Sequence, residues 1–365
     1  MVEPDEDKYE NELSRPYSMA KLPVIDLHQD ISYYYVSGAS GLGFPLADFS
    51  KDIPGRHGDL PKFRKASVRI VFSSIFCLLT TLSPSVSKQL AKGYGTKAYQ
   101  RSYSTRAAGS TFLEHMKVYY ALEEQNPGSI TILRKSADVT KVMAGGGTGF
   151  LVSLEGAYSL EDTYDLKLLY NLGLRSLQLV WNFDSKYCAS CMSKKDYGLT
   201  GDGEELIREC NKLGIIVDLA HASKKTHQDV AKVSKMPFIN SHSNAKAVHN
   251  ISRNLDDETY ALVKRSGGVV GAIVSSSFVG GGQTVEKLAE HVMHFYDKFG
   301  VESLAVGTDY FGLIDYPAVR GLEDIAKIPS LYKILLKKGM TERDIEMMSY
   351  KNSLRVLERT AALWA

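Results

Sequence analysis

Pro23-Val24-Ile25-Asp26-Leu27-His28-Gln29-Asp30 is the stretch from which the fold of this chain can be read. Its apolar residues predict a short buried strand that carries His28 and Asp30 to its carboxyl end, two residues apart and on one side. A nitrogen and a carboxylate placed together can share one divalent cation. A lone His-x-Asp is weak evidence, because a satisfied histidine beside a surface acid is the commoner case. Its meaning rests on what the rest of the chain brings to the same place. The residues that follow, Gln29-Asp30-Ile31-Ser32, contain none of the glycines that a doubly wound nucleotide-binding sheet places after its first strand.

Beyond this strand, Ile31 to Pro61 is rich in Gly, Pro, Asp and Tyr and reads as a long loop with short helical pieces, of the kind that covers a site. The chain then repeats one unit. Ser67–Phe76 is a near-continuous apolar run, followed by a helical pattern over about Thr111–Glu124. Gly149–Ala157 is a strand containing Glu155, Leu166–Leu172 is helical, and Leu174–Trp181 is the next strand. Helix Gly203–Leu213 leads to strand Ile215–His221, helix Lys224–Val233 to strand Pro237–His242, and helix Asp256–Lys264 to strand Gly268–Val274. Helix Val285–Phe299 precedes a last strand, Ser303–Asp309. Eight apolar strands separated by helices or long crossovers predict a parallel (β/α)8 TIM barrel with loop insertions and a C-terminal helical segment. Residues 1–20 read as a polar arm and 21–365 as a single barrel domain.

In such a barrel the chemistry sits at the carboxyl ends of the strands. Those ends carry His28 and Asp30, Glu155, His221, His242 and Asp309. Each alone has an ordinary explanation as a core histidine or capping acid. Six together point to metal, and three carboxylates exceed what one tetrahedral site uses. Two cations about 3.5–4 Å apart, bridged by one carboxylate, fit the set. The other histidines, His57, His115, His227, His249, His291 and His294, are not at strand ends. For all of them packing or surface placement is the expectation; for His227 and His249, which lie just beyond ligand strands, a role in supporting the site or touching substrate is the lesser alternative.

Composition sets the outer limits. The chain has 365 residues, 44% hydrophobic and 24% charged, with a formal net charge of +2. There is no basic block to attract nucleic acid and no apolar run of the roughly 18 residues that a membrane span needs. The acidic, polar start lacks the pattern of a secretory signal, so a cytoplasmic enzyme is expected. Four cysteines are too few for a disulfide framework. Cys188 and Cys191 form a Cys-x-x-Cys without a second pair, and reduced thiols are favoured over a redox or structural pair.

The residues resemble the membrane (renal) dipeptidases and their prokaryotic relatives, from about Pro23 to Leu357. The matching stretches are Ile25–Asp30, Ser153–Gly156, Gly198–Thr200, Leu213–His221, Asn240–Ala245, Ser252–Asn254 with Asp256-Asp257, and Gly307–Asp309, with the tail Gly339–Ile345, Asn352 and Leu354-Arg355. The resemblance implies a barrel with two zinc ions, although such donors also accept manganese or cobalt. His28, Asp30 and Glu155 would hold one ion, and Glu155, His221 and His242 the other, with Glu155 bridging. Asp309 would shuttle the proton, and Arg253, with Asn254 beside it, would receive the terminal carboxylate of a dipeptide, a group that matches the guanidinium fork. Tolerance of a D-residue at the carboxyl-terminal position is also implied, and a homodimer is the expected assembly.

Two departures bear on the pocket. Better-known members carry a substrate-touching histidine after the fourth strand, whereas this strand ends Val180-Trp181-Asn182. Asn182 could donate to a developing oxyanion but carry no proton. The family's second acid after the eighth strand is here Phe311. Another metal-dependent amidohydrolase acting on a cyclic or non-peptide amide is the alternative enzyme, although such barrels commonly begin His-x-His. A non-catalytic metal-binding barrel is the alternative outside enzymes.

Overall fold

The computed structural model describes residues 22–36, 49–76, 105–313 and 316–364. The expected polar arm, the middle of the loop after the first strand and Cys77 lie outside them. The strands are β1 (Val24–Gln29), β2 (Val68–Phe76), β3 (Ile130–Ile132), β4 (Thr148–Glu155), β5 (Leu174–Gln178), β6 (Ile216–Asp218), β7 (Phe238–Ile239), β8 (Val270–Ala272) and β9 (Leu304–Val306). Eight of them run in the order β7-β6-β5-β4-β2-β1-β9-β8, every pair parallel. A parallel bridge from Asn240 to Val270, with Gly271 N–H donating to Asn240 O at 2.9 Å, joins the two ends of this path. The eight strands of the sequence reading are these eight, and the fold is a (β/α)8 barrel. β3, which the sequence reading missed, pairs only with the start of β4 and lies off the ring. Its apolar stretch, Ile130-Thr131-Ile132-Leu133, is closed in by Ser129 and Arg134 and lacks the longer apolar run in which each of the other short strands is embedded.

Ile25, Leu27, Ile70, Phe72, Leu151, Ile216, Ile239, Val269 and Ala305 form the apolar filling of the barrel, each at most 1% exposed. The same cluster continues below into Val356, Leu357, Ala361 and Trp364 of the C-terminal segment. That segment closes the floor, with Trp364 Nε1 donating to Gly214 O at 2.9 Å and Ser349 Oγ to Pro23 O at 2.6 Å. The ring narrows at β7–β9, where a Cβ at Gly271 or Gly307 would fall 1.9 or 1.7 Å from the Ser241 carbonyl oxygen. Only glycine permits that approach.

The connecting helices begin where the sequence supplies caps. α6 (Gly201–Leu213; sixth of the α-helices, after Ile31–Val36, Leu60–Lys65, Thr105–Gln125, Ser136–Met143 and Thr163–Asn171) starts at Thr200, whose hydroxyl accepts from Gly203 N. Its end is set by Gly214 at φ 68°. Lys224–Val233 and Val285–Phe299 are helices with the expected bounds. Among the described residues no helix is long and apolar enough to cross a membrane.

Candidate active site

The ligand candidates reach the mouth of the barrel through irregular backbone. Between Asp26 and Gln29, β1 advances three residues while β2 advances two, from Val71 to Ser73. This extra residue shifts the alternation, so Leu27 stays with the interior filling while His28 turns toward Glu155 and Asp309 and Asp30 lines the cleft. His221 and Asp309 lie beyond the ends of β6 and β9, with φ of 65° and 64°. Left-handed backbone at two non-glycine residues is strain held by the surrounding structure.

Two buried aspartates supply that hold. Asp26 accepts from Thr308 N at 2.9 Å, Thr308 Oγ1 at 2.6 Å and Gln29 Nε2 at 2.7 Å, tying β1 to the turn that carries Asp309. Asp218 accepts from Ala220 N at 3.0 Å and Ser241 N at 2.9 Å, fixing the backbone beside His221 and His242. Asp309 N–H in turn donates to His28 O at 3.0 Å.

The six side chains converge. His28 Nε2 lies 3.3 Å from Asp30 Oδ2, 3.6 Å from Glu155 Oε2 and 3.8 Å from Asp309 Oδ1. The other Glu155 oxygen, Oε1, lies 3.2 Å from His221 Nε2 and 3.8 Å from His242 Nε2. Three overlapping groups of donor atoms result, each within 4.8 Å: His28, Asp30 and Glu155; Glu155, His221 and His242; and His28, His242 and Asp309.

The donors fit a metal on independent grounds. Both ring nitrogens of His28 and both carboxylate oxygens of Asp30 are buried without a hydrogen-bond partner, a costly state unless a cation satisfies them. Burial, with Arg253 and other neighbours adding to it, holds the pKa of His221 down to about 3, and burial also lowers that of His242, so both favour the neutral, ligating form. Burial would lift Glu155, but His28 and His221 beside it prevail and keep it ionised well below the carboxylate range. His28 is the converse: burial would lower it, yet Asp30 and Glu155 raise it. Carboxylates that draw a proton there would equally draw a divalent cation. Asp309 is pushed well above its ordinary value by burial, with His28 opposing and Asp30 and Glu155 adding to the rise.

Several residues orient the ligands, and Gln178 and Ser241 among them have no individual role in the sequence reading. Gln178 Nε2 lies 3.3 Å from Glu155 Oε1, and Ser241 Oγ is 2.8 Å from His242 Nδ1. Asn182 accepts from the Nδ1–H of His221 at 2.7 Å, which leaves Nε2 as the free donor nitrogen. The Asn182 oxygen thus serves the ligand, a task the sequence reading did not assign. His57, half-buried and with a pKa held down to about 4 by desolvation, accepts from Phe311 N at 3.0 Å and stacks on Tyr310, steadying the loop beyond Asp309. Polar residues inside apolar strands, such as Asp26, Gln178 and Asp218, were the available signal.

A cleft of about 520 Å³ opens above the donors, lined by Asp30, Glu155, Asn182, His221, Arg253 and Asp309 below and by Phe76, Trp181, Phe278, Leu313 and Tyr316 around them. Arg253 reaches it with its guanidinium 5.3 Å from the Phe278 ring and its buried Nε unpartnered. Asn254 is not among the lining residues; its Nδ2 donates to His249 O and Phe278 O, both at 2.9 Å, so it shapes the loop around Arg253. Phe311 is also turned away, packing near Tyr34 and His57. Cys188 and Cys191 are free thiols.

The family model described as membrane dipeptidase (peptidase family M19) matches residues 17–364. A dipeptidase of Clonostachys rogersoniana, verJ, is 29% identical over 347 residues, covering 93% of this chain and 84% of its own. A metallopeptidase of Rhodobacter sphaeroides, solved with a phosphinate mimic of the dipeptide L-Ala-D-Ala, superposes with a TM-score of 0.80 at 25% identity, covering 93% of this chain and 99% of its own. The M19 metallopeptidase named dipeptidase AC gives 0.79 at 25% identity, with 94% and 99% covered.

Proposed function

The chain belongs to the membrane dipeptidase family, peptidase family M19, and from that premise we propose a binuclear zinc dipeptidase whose two ions share Glu155. One observation carries this reading: the two oxygens of a single buried carboxylate face different histidines, Oε2 toward His28 and Oε1 toward His221 and His242. His28, Asp30 and Glu155 would hold one ion; Glu155, His221 and His242 the other. When bound, the ions supply the Lewis acidity that acidifies a water and polarises the scissile carbonyl.

The protein's own residues do the rest. Arg253 receives the terminal carboxylate of the dipeptide and sets its register over Glu155. Asp309 accepts the proton of the attacking water on a carboxylate oxygen and delivers it to the leaving amine as the C–N bond breaks. Asn182, through its hydrogen bond to Nδ1, keeps the Nε2 of His221 aimed into the site. The bound mimic of L-Ala-D-Ala in the Rhodobacter sphaeroides relative supports tolerance of a D-residue at the carboxyl-terminal position.

Metal analysis of the purified chain with a dipeptide panel that includes L-D pairs tests the reading. About two zinc ions per chain and cleavage of free dipeptides are expected. One ion per chain would remove the bridging role of Glu155, and a panel left uncut would remove the dipeptidase assignment.

A further inference from the structure

We propose that Phe76 and Trp181 form an apolar plate that selects dipeptides by the side chain of their amino-terminal residue, favouring bulky and above all aromatic ones. The inference rests on the dipeptidase reading and names its substrate class.

The argument begins with the ring. Counting either way round the eight strands, β2 stands four steps from β7 and therefore opposite it. Arg253 comes from the segment after β7, and Phe76 is the last residue of β2, paired with Glu155 in the sheet. A dipeptide whose carboxylate sits on Arg253 and whose carbonyl lies over Glu155 must point its amino-terminal residue across the mouth, toward Phe76. Trp181 stands beside Phe76, the ring centroids 5.0 Å apart at 57°. Both line the cleft. Charged groups gather at the donors and Arg253, so a side chain reaching this wall meets two aromatic rings, which reward apolar area and ring contact.

The plate is also held in place before any ligand arrives. Trp181 N–H donates to the Tyr158 hydroxyl at 3.0 Å, and that hydroxyl donates to Phe183 O. Tyr158 folds back this closely because residue 156 is glycine at φ 86°; a Cβ there would fall 2.3 Å from the tyrosine ring. Trp181 packs further on Phe183, with centroids at 5.6 Å. Glu155-Gly156-Ala157-Tyr158 thus links the bridging carboxylate to the plate in four residues. A surface ordered beforehand loses little entropy on binding, and a difference in side-chain size is then expressed in affinity.

Phosphinate mimics of X-alanine dipeptides, with hydrogen, methyl, isobutyl or benzyl as the amino-terminal side chain, test this by calorimetry on the metal-loaded full chain. The benzyl compound is expected to bind at least tenfold more tightly than the hydrogen compound. In Trp181→Ala that ratio should fall below threefold. Phe76→Ala, expected to lower it in the same direction, covers a Trp181→Ala chain that fails to fold. A ratio near one in the unaltered protein, a ratio unchanged by both substitutions, or an equal weakening of all four compounds would each overturn the proposal. Hydrolysis of a dipeptide panel, run in parallel, separates the two readings. Cleavage with no amino-terminal preference keeps the dipeptidase and removes the plate, whereas failure of every compound to bind or be cut removes both.

Discussion

The two ends of this barrel are built on opposite principles. At the floor, Ile25, Ile70, Ile216, Ile239 and the C-terminal residues Val356, Leu357 and Trp364 form a buried apolar cluster. At the mouth, a few residues further along the same strands, three histidines and three carboxylates crowd together. The nitrogens of His28 and the oxygens of Asp30 lack hydrogen-bond partners, and His221 and Asp309 sit in left-handed backbone. The floor contributes stability through burial, and the mouth draws on it to hold charges and strain that would not persist alone. Chemistry and stability are thus separated along the barrel axis rather than mixed.

That separation can be broken in graded ways. Removing the metal with a chelator strikes the mouth hardest. Activity should vanish and return with zinc, and the melting temperature should fall, because a ligand present at 100 times its Kd contributes about 2.7 kcal/mol. A melting curve indifferent to metal would mean that the orphaned donors hold no ion. Asp309→Asn comes next, with turnover expected to drop by about 10²–10⁴ while metal content stays the same. Turnover close to that of the unaltered protein would sink the shuttle role.

Gly312→Ala is expected to lower kcat/KM by roughly 10², since a Cβ there would fall 2.2 Å from Asp30 Oδ2 and 2.6 Å from Asp309 Oδ1 and must displace one of them. Asn182→Ala, which frees Nδ1 of His221, should cost about tenfold in zinc affinity, measured by competition with a chelating dye. At the far end, Ile239→Ala should leave kcat/KM within about threefold while removing about 2–5 kcal/mol of stability in a denaturant titration. If it impaired turnover as much as Gly312→Ala, floor and mouth would not be independent.

Most of the barrel could be read from sequence because its strands are buried on both faces and so appear as apolar runs at regular intervals. The short off-ring strand Ile130–Ile132 left no such trace. The apolar runs also exceed the strands: the run predicts Ile215–His221, and the strand is Ile216–Asp218, with the ligand on the turn beyond. Apolar content marks burial and does not show where the ladder ends.

The sequence by itself determined the fold class and the six residue types of the candidate site, because each lies just after an apolar run and the barrel sends all such ends to one mouth. Only the tertiary structure decided how they meet. The extra residue in β1 that turns His28 inward, the division of Glu155 between two sets of histidines, the grip of Asn182 on His221 and the withdrawal of Asn254 from the cleft all depend on contacts between segments far apart in the chain. Periodicity reports the burial of a residue within its own element. It carries no information about the partner that a side chain finds on another one.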